Sequence, residues 1–174
     1  TDCEPFGAQD TSCFEAIVDK YGPLLFRRPL STAERTRYVQ VGKKIGAESD
    51  DFWTGTRYML AAMLQSPNFL FRAEIGKPVD DGTGRLRLNN YELASRLAFF
   101  LWNAPPDQQL LDAAANGELE DRASILSHAQ RMVEDPRARA ATQDFFAQYL
   151  DLERLEHVDL PGVAVVGLAA PGRR

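Results

Sequence analysis

Histidine and cysteine are scarce here: two of each occur in 174 residues. His128 and His157 have no ligand-type partners at zinc spacing, so no metal site is expected. No Cys-x-x-Cys-His run attaches haem, and no Cys–His pair or Gly-x-Ser-x-Gly setting supplies a nucleophile. No glycine-rich phosphate loop is present either. The sequence therefore nominates no catalytic, cofactor-binding or metal-binding residue. Positive charge is not in excess: 20 Lys and Arg face 25 Asp and Glu, a net charge of −5. The densest basic clusters, Arg27-Arg28 and Arg137/Arg139, are too small for a nucleic-acid footprint, and no nucleic-acid partner is expected. No apolar run approaches the roughly 20 residues that span a bilayer. The longest, Leu97 to Trp102, is flanked by Arg96 and Asn103. No signal peptide is seen, and the start at Thr1 is read as that of a mature or excised piece of a longer precursor.

What remains is an ordinary globular composition, 44% hydrophobic and 26% charged, long enough for one domain or two small ones. The fold expected is all-α: an irregular bundle of about seven helices, with a short hairpin or loop near 73–88. Cys3 and Cys13 read as a disulfide closing a short loop in a secreted protein, or as two thiols in the cytosol. Ser12 to Glu15 has capping-box form, starting a helix to about Arg28 with a kink or break at Gly22-Pro23. Ser31 to Glu34 is a second capping box, opening a helix to about Ile45 with Gly46 as its cap. A third helix starts near Asp50 and carries stripes through Phe52, Thr56, Met59, Met63 and through Trp53, Leu60, Leu64. Turn residues Gly76, Pro78, Gly82 and Gly84, then the alternating Arg85 to Leu88, suit a hairpin.

Asn89 to Glu92 opens a fourth helix that is apolar almost all round, from Leu93 to Trp102, and so expected to be central and buried. Pro105-Pro106 ends it, Asp107 caps the next, and Gly117 is that helix's C-cap candidate. A sixth helix covers about Arg122 to Glu134. A seventh starts at Asp135-Pro136 and carries an apolar face of Phe145, Phe146, Tyr149, Leu150 and Leu152. The stretch 158–174 has almost no charge and no helical period, and is expected to be disordered or extended.

Two sets of motifs bear a resemblance to known families. Residues 3–72 carry a cysteine pair, Phe26-Arg27-Arg28-Pro29-Leu30-Ser31 with Glu34, and Leu64-x-Ser-Pro-x-Phe-Leu-Phe-Arg-x-Glu74. Residues 89–157 carry Glu92-Leu-Ala-Ser-Arg-Leu-Ala-Phe-Phe-Leu-Trp-Asn with Pro106-Asp107, then Leu111 to Leu119, then Arg131-Met-x-x-Asp-Pro-Arg137. These resemble two adjacent bacterial domains of unknown function, numbers 1595 and 1592. The resemblance implies a module of an exported, multidomain protein with cytochrome-c-like modules elsewhere. Its partners would be other domains of a longer parent, its location periplasmic, cell-surface or secreted, and any haem confined to segments outside this chain. It carries over no catalytic residue. After about Val158 the chain departs from the families' continuation and reads as a C-terminal truncation with unrelated residues appended, as a frameshift would give.

Arg27 and Arg28, with Glu34 nearby, suit either a clamp between the first two helices or an anion site. Arg72 and Glu74 are read in the same way, behind a buried-looking Phe69-Leu70-Phe71. Glu92, Arg96 and Asp107 flank the most apolar helix and could serve as acid and base, even in glycoside chemistry, but helix capping explains Asp107 and Glu92 more simply. Glu92 and Arg96 are also spaced for an intrahelical ion pair. His128 is expected on a solvated helix face. Phe99, Phe100, Trp102, Phe145, Phe146 and Tyr149 are expected in the core. The leading functional reading is a non-catalytic structural or binding module. The alternative is a fragment of an extracytoplasmic enzyme, redox or polysaccharide-directed, with its chemistry elsewhere. A truncated product without independent function is the third, and an exposed apolar face on the last helix would support it.

Overall fold

In the computed structural model, which describes residues 3–80 and 82–152, every α-helix begins on a side chain that accepts a hydrogen bond from its first turn. The chain order is α1 (Thr11–Phe26), α2 (Thr32–Ser49), α3 (Phe52–Leu64), a single turn α4 (Pro67–Leu70), β1 (Lys77–Pro78), β2 (Leu86–Arg87), α5 (Asn90–Trp102), α6 (Gln108–Ala115), a 3-10 turn (Glu118–Glu120), α7 (Arg122–Glu134) and α8 (Pro136–Tyr149). The protein is predominantly α-helical. The expected hairpin is present as an antiparallel ribbon pairing Lys77 with Arg87 and Pro78 with Leu86. Turn α4 is additional to the seven expected helices.

Several boundaries move for physical reasons. Asp10, not Ser12, caps α1: its carboxylate accepts from the Cys13 amide at 3.2 Å and from the Ser12 hydroxyl at 2.7 Å, so Ser12 spends its hydroxyl as a donor. Helix α1 runs through Pro23 without a break and ends where Arg27 turns left-handed, at φ 58°. There packing outweighs propensity, because Gly22 is buried against the side chain of Leu30. Helix α2 continues past Gly46 to Ser49, with Asp50 as its left-handed cap. Gly46 serves close packing instead of capping. A Cβ there would overlap the Ala8 carbonyl, and one at Gly55 would overlap the Gly42 carbonyl. Gly46 and Gly55 let α2 meet the N-terminal segment and α3 backbone to backbone.

Two hydrophobic clusters result, and they share no buried residue. The first is built by α1–α3 around Phe14, Ile17, Tyr38, Met59 and Met63, with Phe14 stacked on Phe52 at 4.3 Å. Cys13 is buried in it and is bridged to Cys3. The second is built by α5–α8 around Trp102, Leu110, Leu119 and Met132. Helix α5 is central to this half, contacting α6, α7 and α8. Its buried stripe is only Ala94, Ala98 and Trp102, one residue per turn, and Phe100 is 81% exposed. The helix is therefore apolar on a face that the other helices do not reach.

Other expected core residues are also outside it. Leu70 and Phe71 are exposed, because α4 is one turn long and docks through Phe69 and its backbone. Phe145, Phe146, Tyr149, Leu150 and Leu152 are exposed, Phe145 stacking on Tyr149 at 5.8 Å. Helix α8 reaches the second cluster near its start, with Ala138 buried and Arg137 on the Trp102 ring, and its later turns are exposed. Of the two stripes on α3, Trp53 and Leu64 lie toward solvent. Among the described residues no helix is long and apolar enough to cross a membrane. His157 and the stretch 158–174 lie outside the described residues.

Candidate functional site

The junction between the two clusters starts from Arg27. Its left-handed backbone turns the chain after α1; the residue is 7% exposed, and its guanidinium donates to four carbonyl oxygens: Leu25 (3.1 Å), Phe69 (3.4 Å), Asn68 (2.7 Å) and Phe71 (3.0 Å). Three of these follow α4's first residue, where a one-turn helix leaves its carbonyls without intrahelical partners. Arg28 points to the neighbouring carboxylate, donating to both oxygens of Glu34 at 3.0 and 2.7 Å. Asn68 completes that group, donating to Glu34 at 3.0 Å and accepting from Arg28 at 3.2 Å. Glu34 also closes the capping box of α2. The Arg28 hydrogen bond, with Ser31 assisting, holds the Glu34 carboxyl at about 2, well below its ordinary value. Two motifs 40 residues apart in sequence thus meet around one arginine pair.

From Phe71 the chain crosses to α5. Glu92 caps α5 through Asn89 and accepts from the Ile75 amide at 3.1 Å and the Gly76 amide at 3.3 Å, fixing the crossing segment to the helix start. The expected Glu92–Arg96 pair gives way to this arrangement, and Arg96 pairs with Glu74 at 3.6 Å. Arg72 lies over the ring of Phe99, 4.5 Å from its centre, and Arg27 is 6.0 Å from the same centre on its guanidinium carbon. Beside this stack lies a cleft of about 240 Å³, with Arg27, Arg28, Arg72 and Arg96, and Glu74 and Glu92, among its walls. Burial, then the neighbouring charges of Arg72 and Arg28, lower the pKa of Arg27.

Asp107 belongs elsewhere. It caps α6, accepting from Leu110 at 3.0 Å, and both oxygens accept from Arg131, at 2.8 and 3.2 Å. Burial alone would raise its pKa; the Arg131 hydrogen bond and the Leu110 amide outweigh that and hold it low. Arg137 sits 3.8 Å from the same carboxylate, binds Asp135 at 2.7 Å and lies 3.4 Å from the centre of the Trp102 ring. Trp102 donates to the Met132 carbonyl at 2.8 Å. The structure therefore brings Glu92 and Arg96 to one cleft and places Asp107 in a separate knot at the other end of α5. Its partners Arg131 and Arg137 stand at the two ends of one sequence motif, but nothing in that motif ties them to Asp107. Their spacing six apart across a helix break gives no periodic signal.

His128 departs from its expected solvated position. Its side chain is 11% exposed, Nε2 is 3.9 Å from Glu118, and Nδ1 is buried without a hydrogen-bond partner. No group of three or more His, Cys, Asp or Glu among the described residues is placed to hold a metal. Both cysteines are in the bridge.

Two family models match the chain. Residues 13–74 match one described as a protein of unknown function (DUF1595), and residues 88–162 match one described as a protein of unknown function (DUF1592). The matched regions are adjacent, and the cleft draws its walls from both: Arg72 and Glu74 close the first, and Glu92 and Arg96 fall in the second. No curated protein and no solved structure matches the chain.

Proposed function

We propose that this chain, which carries a DUF1595 region followed by a DUF1592 region, is a non-catalytic binding module of a longer exported protein and presents the junction cleft to its ligand. One observation carries this reading. The two halves, each with its own core, meet across a concave, arginine-lined space, and clefts between such units are preferred ligand sites. The Cys3–Cys13 bridge supports an oxidising, extracytoplasmic setting. Further domains of the parent chain would be its partners, and any haem would belong to them.

A second reading, a fragment of an extracytoplasmic enzyme, rests on Glu74 and Glu92 lining the same cleft. Against it, Glu92 is spent on three backbone amides, those of Ile75, Gly76 and Asn89, and Glu74 faces Arg96. The test is an amide NMR titration of the full chain with neutral and acidic mono- and oligosaccharides and small organic acids. Shifts confined to 71–76 and 89–99 support the cleft as the binding face. Shifts centred instead on the apolar groove between α1 and α3, lined by Tyr21, Trp53, Leu60 and Leu64, contradict it, and consumption of any ligand during the titration favours the enzyme reading.

A further inference from the structure

The charges around the cleft do not cancel. Arg28 is matched by Glu34 and Arg96 by Glu74, while the Glu92 carboxylate is held by backbone amides at the start of α5. Arg27 and Arg72 remain. Arg27 is buried with only carbonyl partners, so its charge is solvated by dipoles and matched by no carboxylate. Arg72 has no carboxylate or hydrogen-bond partner among the described residues. A guanidinium lying over a ring face keeps its N–H edge free, and that edge is the geometry that takes an anion through two parallel bonds. The side chain is exposed, so a solute can reach it.

Resting on the binding-module reading above, we infer that the cleft takes a carboxylate carried on a hydroxylated ring, an acidic sugar of monosaccharide size, with Arg72 as the anion contact. Its size argues for one ring: about 240 Å³ is below the roughly 300–1,000 Å³ of sites for larger ligands. A monoanion is favoured over a phosphate. Arg72 is the one exposed guanidinium on the walls without a carboxylate partner among the described residues, since Arg28 and Arg96 face Glu34 and Glu74, and the nearby amides of Ile75 and Gly76 are already committed to Glu92. Ser95 and Glu74 are among the lining residues and supply polar partners for hydroxyls, and exposed Phe71 and half-buried Tyr91 line it with aromatic rings.

The experiment is calorimetric titration of the full chain with glucuronate, glucose and inorganic phosphate, repeated on Arg72→Gln and Arg72→Lys. The expected result is saturable glucuronate binding, glucose weaker by about tenfold or more, and a loss of at least about tenfold in Arg72→Gln, with Arg72→Lys between. Melting temperatures of the variants report whether they fold; if Arg72→Gln does not, Arg72→Lys carries the comparison. Equal binding of glucose and glucuronate, unchanged binding in a folded Arg72 variant, or binding of phosphate without glucuronate overturns the inference. A neutral sugar that moves the cleft amides as strongly as glucuronate overturns the anion contact while leaving the cleft reading standing. If no ligand moves those amides, both fail.

Discussion

Arg72 lies over Phe99, its guanidinium carbon 4.5 Å from the ring centre, and this stack joins the last residues of the first matched region to the middle of α5. Among the described residues the junction also has the Arg27 approach to the same ring, the Arg96–Glu74 pair and the two amides bound by Glu92. No buried apolar residue belongs to both clusters. A junction made of polar and stacking contacts is weak per contact and open to a ligand, whereas a shared core would have closed it.

Arg27 should be the least replaceable polar residue of the first unit. Arg27→Leu removes the donor to four carbonyls and leaves buried acceptors unmet, at a cost of about 3 kcal/mol or more. Arg27→Lys keeps the charge but not the fork and should recover only part of the loss. Urea unfolding of both variants measures this; an Arg27→Leu protein as stable as the parent would show that the α4 carbonyls find other partners.

Acid should weaken the protein through Glu34. Its carboxyl titrates at about 2 when folded, against an ordinary 4.5, so in that window the unfolded chain binds the extra proton. Stability is then fully present above about 4.5 and falls as pH drops toward 2. Asp135, pulled to about 2 by the Arg137 hydrogen bond, acts in the same direction. Glu34→Gln should be less stable at neutral pH and show a flatter decline in the acid range. Urea midpoints collected from neutral to strongly acidic pH would reveal this, and parallel curves for the two proteins would remove Glu34 from the account.

Capping chemistry is the most legible part of the chain. Ser31, Asn89, Asp107 and Asp135 cap where short polar residues precede a helical pattern, because the rule is local. The hairpin is legible from its turn residues for the same reason. Burial is less so: Phe100 and Phe145 fit an apolar helix face, and only the tertiary arrangement decides that no helix packs there. The cleft is hardest to see. Arg72 and Phe99 are distant in sequence and obey no common period, and the pattern around Arg72 points to structural packing. The later turns of α8 leave an apolar face exposed, and nothing in the structure shows what covers it.

Trp102 should anchor the second unit. It is 3% exposed, donates to Met132 and carries Arg137 on its ring. Trp102→Ala should cost about 3–5 kcal/mol. Trp102→Phe keeps most of the packing, loses the hydrogen bond, and should cost less, about 1–3 kcal/mol. A thermal melt unchanged by the alanine substitution would contradict the placement.

Reduction should loosen the N-terminus. The Cys3–Cys13 bridge closes a loop of sequence separation 10, for which chain-entropy arguments give about 2–3 kcal/mol. Intact mass should rise by two hydrogens on reduction, and the melting temperature should fall. An unchanged mass would mean that the thiols are free in the purified protein.

The decisive observation is the side-chain Nε–H signal of Arg72 in the full chain, followed by NMR while glucuronate is added. The account predicts that this signal shifts saturably and that the resonances of the Arg28–Glu34 pair stay in place. A saturable shift at Arg28 or Arg96 with Arg72 unmoved, or no shift at any cleft arginine, would contradict it.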